Sequence, residues 1–297
     1  MRFVLVGVMG LFFFGCVSTT REPAVRGLPR DDPAAVLSVV WVGHATMLVR
    51  LSHRFILTDP NLGGNIFVQQ RITPPSLTAE EIPPLQMIVL SHTHVDHFDT
   101  ATFARLPRDT EVVFPPGTSS YMSLIGQTPK ETSKFFEPIS RGGITVTPVP
   151  VMHSGGRYLV DALWNKGYAG YIIDGFGKRV FFAGDTGYDK KAFLEIGKRF
   201  PGIDLAMIPI APAKGNNANH ADPKEAVQIF LDTGAKYMIP IHFEAYHSMA
   251  VPLDEPRKQL AAEVEKRGLS GRVFALYTGE RWIEPQSGEP IVTREKQ

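Results

Sequence analysis

His92-Thr93-His94-Val95-Asp96-His97 places three imidazoles and a carboxylate close together, and Asp99 adds a second carboxylate just beyond. The apolar run Met87-Ile88-Val89-Leu90 comes directly before, bounded upstream by Pro83-Pro84, and reads as a buried strand that ends where the histidines begin. Alternate residues of an extended segment point the same way, so His92 and His94 can face one point. Asp96 and His97, in the turn that follows, face a neighbouring one. This suits two adjacent metal ions, one on His92 and His94, the other on Asp96 and His97. Imidazole with carboxylate is a zinc ligand set that iron or manganese also accepts. The alternative is a polar loop whose histidines happen to cluster, and the strand directly behind them argues against it.

Other elements must carry further ligands to the same place. Short strand-like runs at 36–41, 47–51 and 55–58 are joined by polar turns, and a loop-rich stretch over 60–84 could form part of a cleft rim. The pattern predicts a short helix over 98–105 and a strand over 112–114. The β-branched run 144–151 delivers His153 at its end. Residues 170–174 and 179–183 form a hairpin around Gly175-Phe176-Gly177, and its second strand runs into Asp185. Two further strands are predicted at 205–209 and 237–241, the latter ending at His242. Between them Asp222-Pro223-Lys224-Glu225 is a helix start: Asp222 caps, Pro223 takes the first turn, and Glu225 completes a capping box. Gly234 ends that helix. Leu260, Ala261 and Val264 suggest a late amphipathic helix, followed by a strand over 273–276. Strands in blocks, then strands alternating with helices, imply two sheets flanked by helices.

The core pattern resembles the signature of the metallo-β-lactamase fold hydrolases. Trp41-Val42-Gly43-His44-Ala45-Thr46, Leu57-Thr58-Asp59-Pro60, Phe181-Phe182-Ala183-Gly184-Asp185-Thr186-Gly187 and His220-Ala221-Asp222-Pro223 extend the likeness in order. Together they resemble the branch containing N-acyl-phosphatidylethanolamine-hydrolysing phospholipase D and its bacterial relatives, over residues 36 to 246. The resemblance implies a mixed α/β fold, the four-layer αββα sandwich. It implies that His92, His94 and His153 bind one Zn2+, that Asp96, His97 and His242 bind a second, and that Asp185 bridges them. Two such ions can activate a shared water and polarise a phosphoryl or carbonyl oxygen. The bridging hydroxide would be the nucleophile, with Asp96 orienting it.

Asp59 and His44 are candidates to support these ligands from behind. A turn carboxylate and a buried hydrogen-bonded histidine account for them about as well. His220 is a candidate proton donor or substrate contact, with a plain loop histidine as the other reading. His53 and His247 match no motif and read as surface or structural. In the resembling branch, the loop before the His-x-Asp-Pro helix start carries Tyr and Arg. Here it is Ala211-Pro212-Ala213-Lys214-Gly215-Asn216-Asn217-Ala218-Asn219, small and polar, which leaves the particular lipid open.

Residues 1–16 read as a lipoprotein-type signal segment, with Arg2 at the start, an apolar run over 3–14, and the chain's single cysteine, Cys16, as the lipidated residue. Phe13 and Phe14 depart from the usual residues before such a cysteine, and an ordinary signal peptide or an uncleaved anchor is the alternative. Residues 17–35 then read as a flexible tether and 36–297 as one hydrolase domain. This places the protein in a bacterial cell envelope, membrane-anchored and facing the periplasm or outside. Basic and acidic residues nearly balance (31 against 30) without a Lys/Arg cluster, which disfavours nucleic acid as a partner. The leading expectation is a zinc-dependent phosphodiesterase acting on a phospholipid, phospholipase D-like. Hydrolysis of a lactone, as in the resembling ascorbate-6-phosphate lactonase branch, is the enzymatic alternative. A surface lipoprotein that keeps the metals for binding alone is the non-enzymatic one.

Overall fold

β-branched and aromatic runs separated by tight polar turns build an antiparallel meander: β1 (Leu37–Gly43), β2 (Thr46–Leu51) and β3 (Arg54–Thr58). β4 (Leu85–Val89) then adds in parallel beside β3. α1 (Thr100–Phe103) leads to β5 (Glu111–Phe114), and α2 (Ser119–Met122) to β6 (Thr128–Glu131), both strands continuing the parallel run. A second sheet is assembled from β7 (Ile139–Arg141), β8 (Ile144–Val149), β9 (Gly170–Gly175) and β10 (Lys178–Phe182). α3 (Lys190–Arg199) connects to β11 (Leu205–Pro209), α4 (Pro223–Thr233) to β12 (Tyr237–Ile241), and α5 (Glu255–Lys266) follows. β13 (Arg281–Glu284) and β14 (Ile291–Thr293) return to the outer side of β1. The computed structural model describes residues 20–67, 69–122, 125, 128–132, 134–157, 161, 167–213, 218–247 and 251–296.

The result is an eight-stranded sheet, ordered β14-β13-β1-β2-β3-β4-β5-β6, and a six-stranded one, ordered β12-β11-β10-β9-β8-β7. Side chains alternate across a strand, and β1 is buried on both faces. Leu37, Val39 and Trp41 join the core between the sheets with Ile172, Phe181 and Met207. Val40 and Val42 face the other way, packing with Phe98 and Phe103 around α1. Phe193, Ile196, Ala226, Phe230 and Leu260 bury α3, α4 and α5 against the second sheet. Helices therefore flank the sheets on both outer faces, the αββα arrangement.

The predicted start of α4 forms in detail. Asp222 accepts from the Glu225 amide at 2.8 Å, Glu225 accepts from the Asp222 amide at 3.1 Å, and Gly234 ends the helix at φ 68°. Two expectations are corrected. The strand over 273–276 is reduced to a single bridge from Val273 to Met238, because the chain turns at Phe274–Leu276 and Tyr277–Glu280 before pairing with β1 as β13. The helix over 98–105 shortens to α1, since Asp99 caps it and Pro107 follows closely.

The tether over 17–35 is not free from Arg21 onward. Arg21 donates to Ile72 O at 2.9 Å, Ala24 to Thr278 O at 2.7 Å, and Gly27 to Ser76 O at 2.9 Å. Val25 is buried, and Asp31 is gripped by Arg50 and Arg281. Enthalpic contacts at these points offset the entropy that a loose tether would keep. The expected signal segment 1–16 and its Cys16 lie outside the described residues. Among the described residues no helix is long and apolar enough to cross a membrane.

β1, β3, β4, β8, β10, β11 and β12 direct their C-terminal ends to one edge of the sandwich. The two sheets are tied there by Ala169 N–H to Ser91 O at 2.9 Å, His242 N–H to His44 O at 3.1 Å, and Tyr171 Oη–H to Leu90 O at 3.0 Å. The functional side chains meet at this edge.

Candidate metal centre

His92 and His94 follow β4, and His153 follows β8. Their nitrogens converge: His92 Nε2 lies 2.9 Å from His94 Nδ1, which lies 3.3 Å from His153 Nε2. Beside them Asp96 Oδ2 sits 3.6 Å from His97 Nε2 and 3.3 Å from His242 Nε2. Asp185, at the end of β10, reaches both groups. Its Oδ2 is 3.2 Å from His97 Nε2, 3.1 Å from His242 Nε2 and 3.9 Å from His153 Nε2. His92, His94 and His153 form one cluster with metal-ligand spacing, and His44, Asp96, His97 and His242 form another.

The loop holding Asp185 is tightly constrained. Gly184 has φ 59°, and a Cβ there would lie 2.4 Å from Ser91 Cβ. The small residues around Asp185 thus allow its loop to press against the β4 loop; the close neighbour is a backbone-anchored serine. His44, Asp59, His242 and Glu244 also take left-handed φ values of 54°, 36°, 63° and 55°. Such conformations cost on the order of 1–3 kcal/mol each and persist only where surrounding contacts impose them.

Those contacts are explicit. Asp59 is fully buried; its Oδ1 accepts from the Ser91 amide at 2.7 Å, and its Oδ2 accepts from Ser91 Oγ and from His97 Nδ1, each at 2.6 Å. His44 Nε2 lies 3.1 Å from Asp96 Oδ2, and its carbonyl accepts from Trp41 Nε1 at 2.8 Å. Each of the two thus contacts an expected ligand, His44 reaching Asp96 and Asp59 reaching His97. Sequence reasoning missed four more supports. Ser91 Oγ lies 2.8 Å from His92 Nδ1, and Asn219 O accepts from His153 Nδ1 at 2.9 Å. Asn61 Nδ2 donates to Asp96 O at 2.7 Å and to Tyr246 Oη at 3.0 Å. Only Ser91 had a signal, its place between strand and first histidine.

Electrostatics divide the histidines. Burial pushes His44 down to about 3, His153 to about 4, and His92 well below its ordinary value, so these rings are neutral with lone pairs to offer. Burial opposes charge on His242 too, but Asp185 and Asp96 raise it to about 9; His97 is raised by the same carboxylates and by Asp59. Asp96 and Asp185 are held well below the usual carboxylate range, burial being outweighed by the facing imidazoles. The centre is built to have cationic charge between its carboxylates. His97 Nε2 and Asp185 Oδ1 are buried without hydrogen-bond partners. Polar atoms left so are costly, and a divalent cation satisfies them, so the donor set fits the two expected ions.

His220 comes from the loop before α4, fixed by Ala221 N–H to Thr186 O at 2.6 Å. Its Nδ1 is buried 3.5 Å from Asp185 Oδ2 without a hydrogen-bond partner and shares metal-ligand spacing with His153 and Asp185, while the rest of the ring is partly exposed and burial lowers its pKa from the ordinary value. His53 and His247 are exposed, as expected. Lys214 lies outside the described residues. A cavity of about 160 Å³ opens beside the centre, lined by His44, Asp96 and His242 and walled by Pro212, Tyr246 and Leu253.

A two-sheet sandwich with this histidine and aspartate cluster on one edge defines a metallo-β-lactamase fold protein. Residues 54–243 match the Beta-lactamase superfamily domain family, well over half of the chain, and the chain belongs to that family. It is 30% identical over 247 residues to an uncharacterized protein of Mycobacterium tuberculosis, covering 78% of this chain and 65% of that protein's length. It is 31% identical over 247 residues to N-acyl-phosphatidylethanolamine-hydrolyzing phospholipase D 1 of Caenorhabditis elegans, covering 75% of this chain and 68% of that one. The fold also matches the crystal structure of a possible metal-dependent hydrolase from Veillonella parvula, with TM-score 0.67, 17% identity, and coverage of 84% and 99%.

Proposed function

We propose that this chain is a metal-dependent hydrolase that cleaves a phosphodiester bond, phospholipase D-like, in an N-acylated phosphatidylethanolamine or a related lipid. The observation that carries the reading is Asp185, one buried carboxylate within 3.2 Å of His97 and 3.1 Å of His242 that also reaches toward His153. His92, His94 and His153 would hold one Zn2+, Asp96, His97 and His242 the other, and Asp185 would contact both. When bound, such a pair supplies an activated water and a polarised phosphoryl oxygen.

The chain's own residues supply the rest. Asp96, steadied by His44 at 3.1 Å, orients the attacking water. Asp59 holds His97 in the tautomer whose Nε2 faces the centre. His220, partly exposed at the mouth, gives a proton to the departing alkoxide as the phosphorus–oxygen bond breaks. The apolar walls of the neighbouring cavity suit the aliphatic part of a lipid. The relative in Caenorhabditis elegans, named for this activity, supports the substrate class. We further propose that Cys16 is lipidated and holds the enzyme at the cell envelope, where such substrates are concentrated.

The test is turnover by the purified, zinc-loaded protein on three panels: phospholipids with and without N-acylation, bis(p-nitrophenyl) phosphate, and lactones. Phosphodiester turnover with release of phosphatidic acid supports the reading. Turnover confined to lactones replaces it with the ester alternative, and no turnover with full metal content favours a binding role.

A further inference from the structure

Among the described residues three arginines are buried, Arg50, Arg71 and Arg281. Arg50 and Arg281 share the carboxylate of Asp31. Arg71, 6% exposed, makes no ion pair with any described residue. Burial pushes its pKa down, offset in part by Tyr246 and Asp99. A buried charge without a countercharge is costly, and arginine is rarely buried so deeply unless it is paired.

Every acceptor that Arg71 meets is a carbonyl or a hydroxyl. Its Nε donates to Thr73 O at 3.2 Å. Its Nη1 donates to Gly63 O at 2.6 Å, Asn61 O at 3.1 Å, Asn61 Oδ1 at 3.2 Å and Tyr246 Oη at 3.1 Å. The guanidinium thereby fastens both ends of the loop over 63–73 to Asn61 and to Tyr246 on the cavity wall. Arg71 and Tyr246 also pair as an isolated antiparallel bridge.

The bond to Asn61 Oδ1 decides which way that amide faces. Guanidinium and backbone N–H groups only donate, and Gly63 N–H also donates to Asn61 Oδ1, at 3.1 Å. Two donors on one side fix the oxygen there and turn Nδ2 the other way, where it donates to Asp96 O at 2.7 Å and Tyr246 Oη at 3.0 Å. The reverse amide would set donor against donor at Arg71 and carbonyl against carbonyl at Asp96. Asp96 lies in a turn beyond the end of β4, outside the sheet ladder. It is held at two points: His44 meets its carboxylate at 3.1 Å, and Asn61, set by Arg71, holds its main chain.

We propose that Arg71 is a positioning residue for the metal centre. It sets the amide of Asn61, through Asn61 the main chain of Asp96, and thereby the affinity of the ion on Asp96, His97 and His242. A ligand already fixed loses less freedom when the ion binds, and binding is tighter. This rests on the ligand assignment proposed above and adds a residue that acts through another.

In the experiment the full-length protein is titrated with zinc against a chelating dye, which resolves the two ions in turn. Arg71→Lys keeps the charge but lacks the planar fork that reaches Asn61, Gly63 and Tyr246 together. Arg71→Lys and Asn61→Ala should each weaken the second ion by about 10–100-fold and leave the first within about twofold. The double variant should be weaker than either single variant by no more than about twofold, because both remove one route. With cobalt(II) in place of zinc, the visible bands added by the second equivalent should change alike in the two single variants. Circular dichroism of the metal-free proteins shows that each is folded. Arg71→Met, uncharged and of similar length, should behave as Arg71→Lys and replaces it if lysine disturbs the fold. A second ion or cobalt bands unchanged in the Arg71 variant overturn the role. Additive losses in the double variant overturn the route through Asn61, and so does equal weakening of both ions. A wild-type protein that binds fewer than two ions overturns the ligand assignment, and the role of Arg71 with it.

Discussion

Asp59 Oδ2 accepts a hydrogen bond from His97 Nδ1 at 2.6 Å, and both side chains are wholly buried. The pair spans two strand ends, with Asp59 after β3 and His97 after β4. Burial raises the carboxyl of Asp59 above its ordinary value, while the charge and hydrogen bond of His97 draw it back. What the pair secures is orientation: with Nδ1 engaged, only Nε2 of His97 faces the centre.

Asp59→Ala should therefore weaken the second ion by about 10–100-fold, the usual cost of losing a carboxylate behind a histidine ligand. The ion on His92, His94 and His153 should be much less affected. Zinc titration against a competing chelator resolves the two steps. Equal weakening of both, or of neither, contradicts the role given to Asp59.

His44→Asn tests a different support. Asparagine tolerates the left-handed backbone at this position but is too short to reach Asp96. The variant should keep a native circular dichroism spectrum and lose about 10–100-fold in turnover, because Asp96 loses its fixed donor. Full activity would return His44 to a purely structural role.

The centre was readable in the sequence where chemistry and chain continuity coincide. His92, His94, Asp96 and His97 sit in one loop behind one strand, and His153, Asp185 and His242 each end a recognisable apolar run. The second half of the fold was readable at α4 because its caps are local. β13 was hidden because two of its four residues, Arg281 and Glu284, are charged yet buried, each neutralised by partners distant in sequence. α3 was hidden because only Phe193 and Ile196 are buried in a lysine-rich stretch. Asn61 and Tyr246 gave no signal, since their role comes from a contact spanning 185 residues.

The docked N-terminal segment makes a stability prediction. Asp31 lies between Arg50, at 2.7 Å, and Arg281, with side chains 11%, 9% and 1% exposed. Asp31→Asn leaves two buried guanidinium groups without a countercharge, which should cost about 3–5 kcal/mol. The cluster lies at the sheet end away from the metal centre, so turnover on bis(p-nitrophenyl) phosphate should hold in folded protein. Urea denaturation followed by circular dichroism measures the loss. A change under 1 kcal/mol, on the scale of an exposed ion pair, would mean the segment is held by its backbone bonds alone.

His220→Ala separates proton transfer from metal binding. As a donor to the leaving group, His220 should be worth about 10²–10⁴-fold on a phospholipid whose leaving group is an alkoxide. The defect should shrink on bis(p-nitrophenyl) phosphate, whose leaving group needs no proton, and the metal content should not change. Equal loss on both substrates would make His220 a positioning residue. Loss of an ion would make it a ligand through Nδ1, which lies 3.5 Å from Asp185 Oδ2.

The proposed centre depends on Asp185 serving two ions at once, and metal content measures that most directly. Protein purified with zinc present and dialysed against metal-free buffer should carry about two ions per chain by inductively coupled plasma mass spectrometry. Asp185→Ala should lose both, because one carboxylate offsets the repulsion between adjacent cations as well as binding each. A native circular dichroism spectrum of the variant would show that the loss is local. A wild-type protein with a single ion, or an Asp185→Ala protein that keeps one at full occupancy, would contradict the bridged centre.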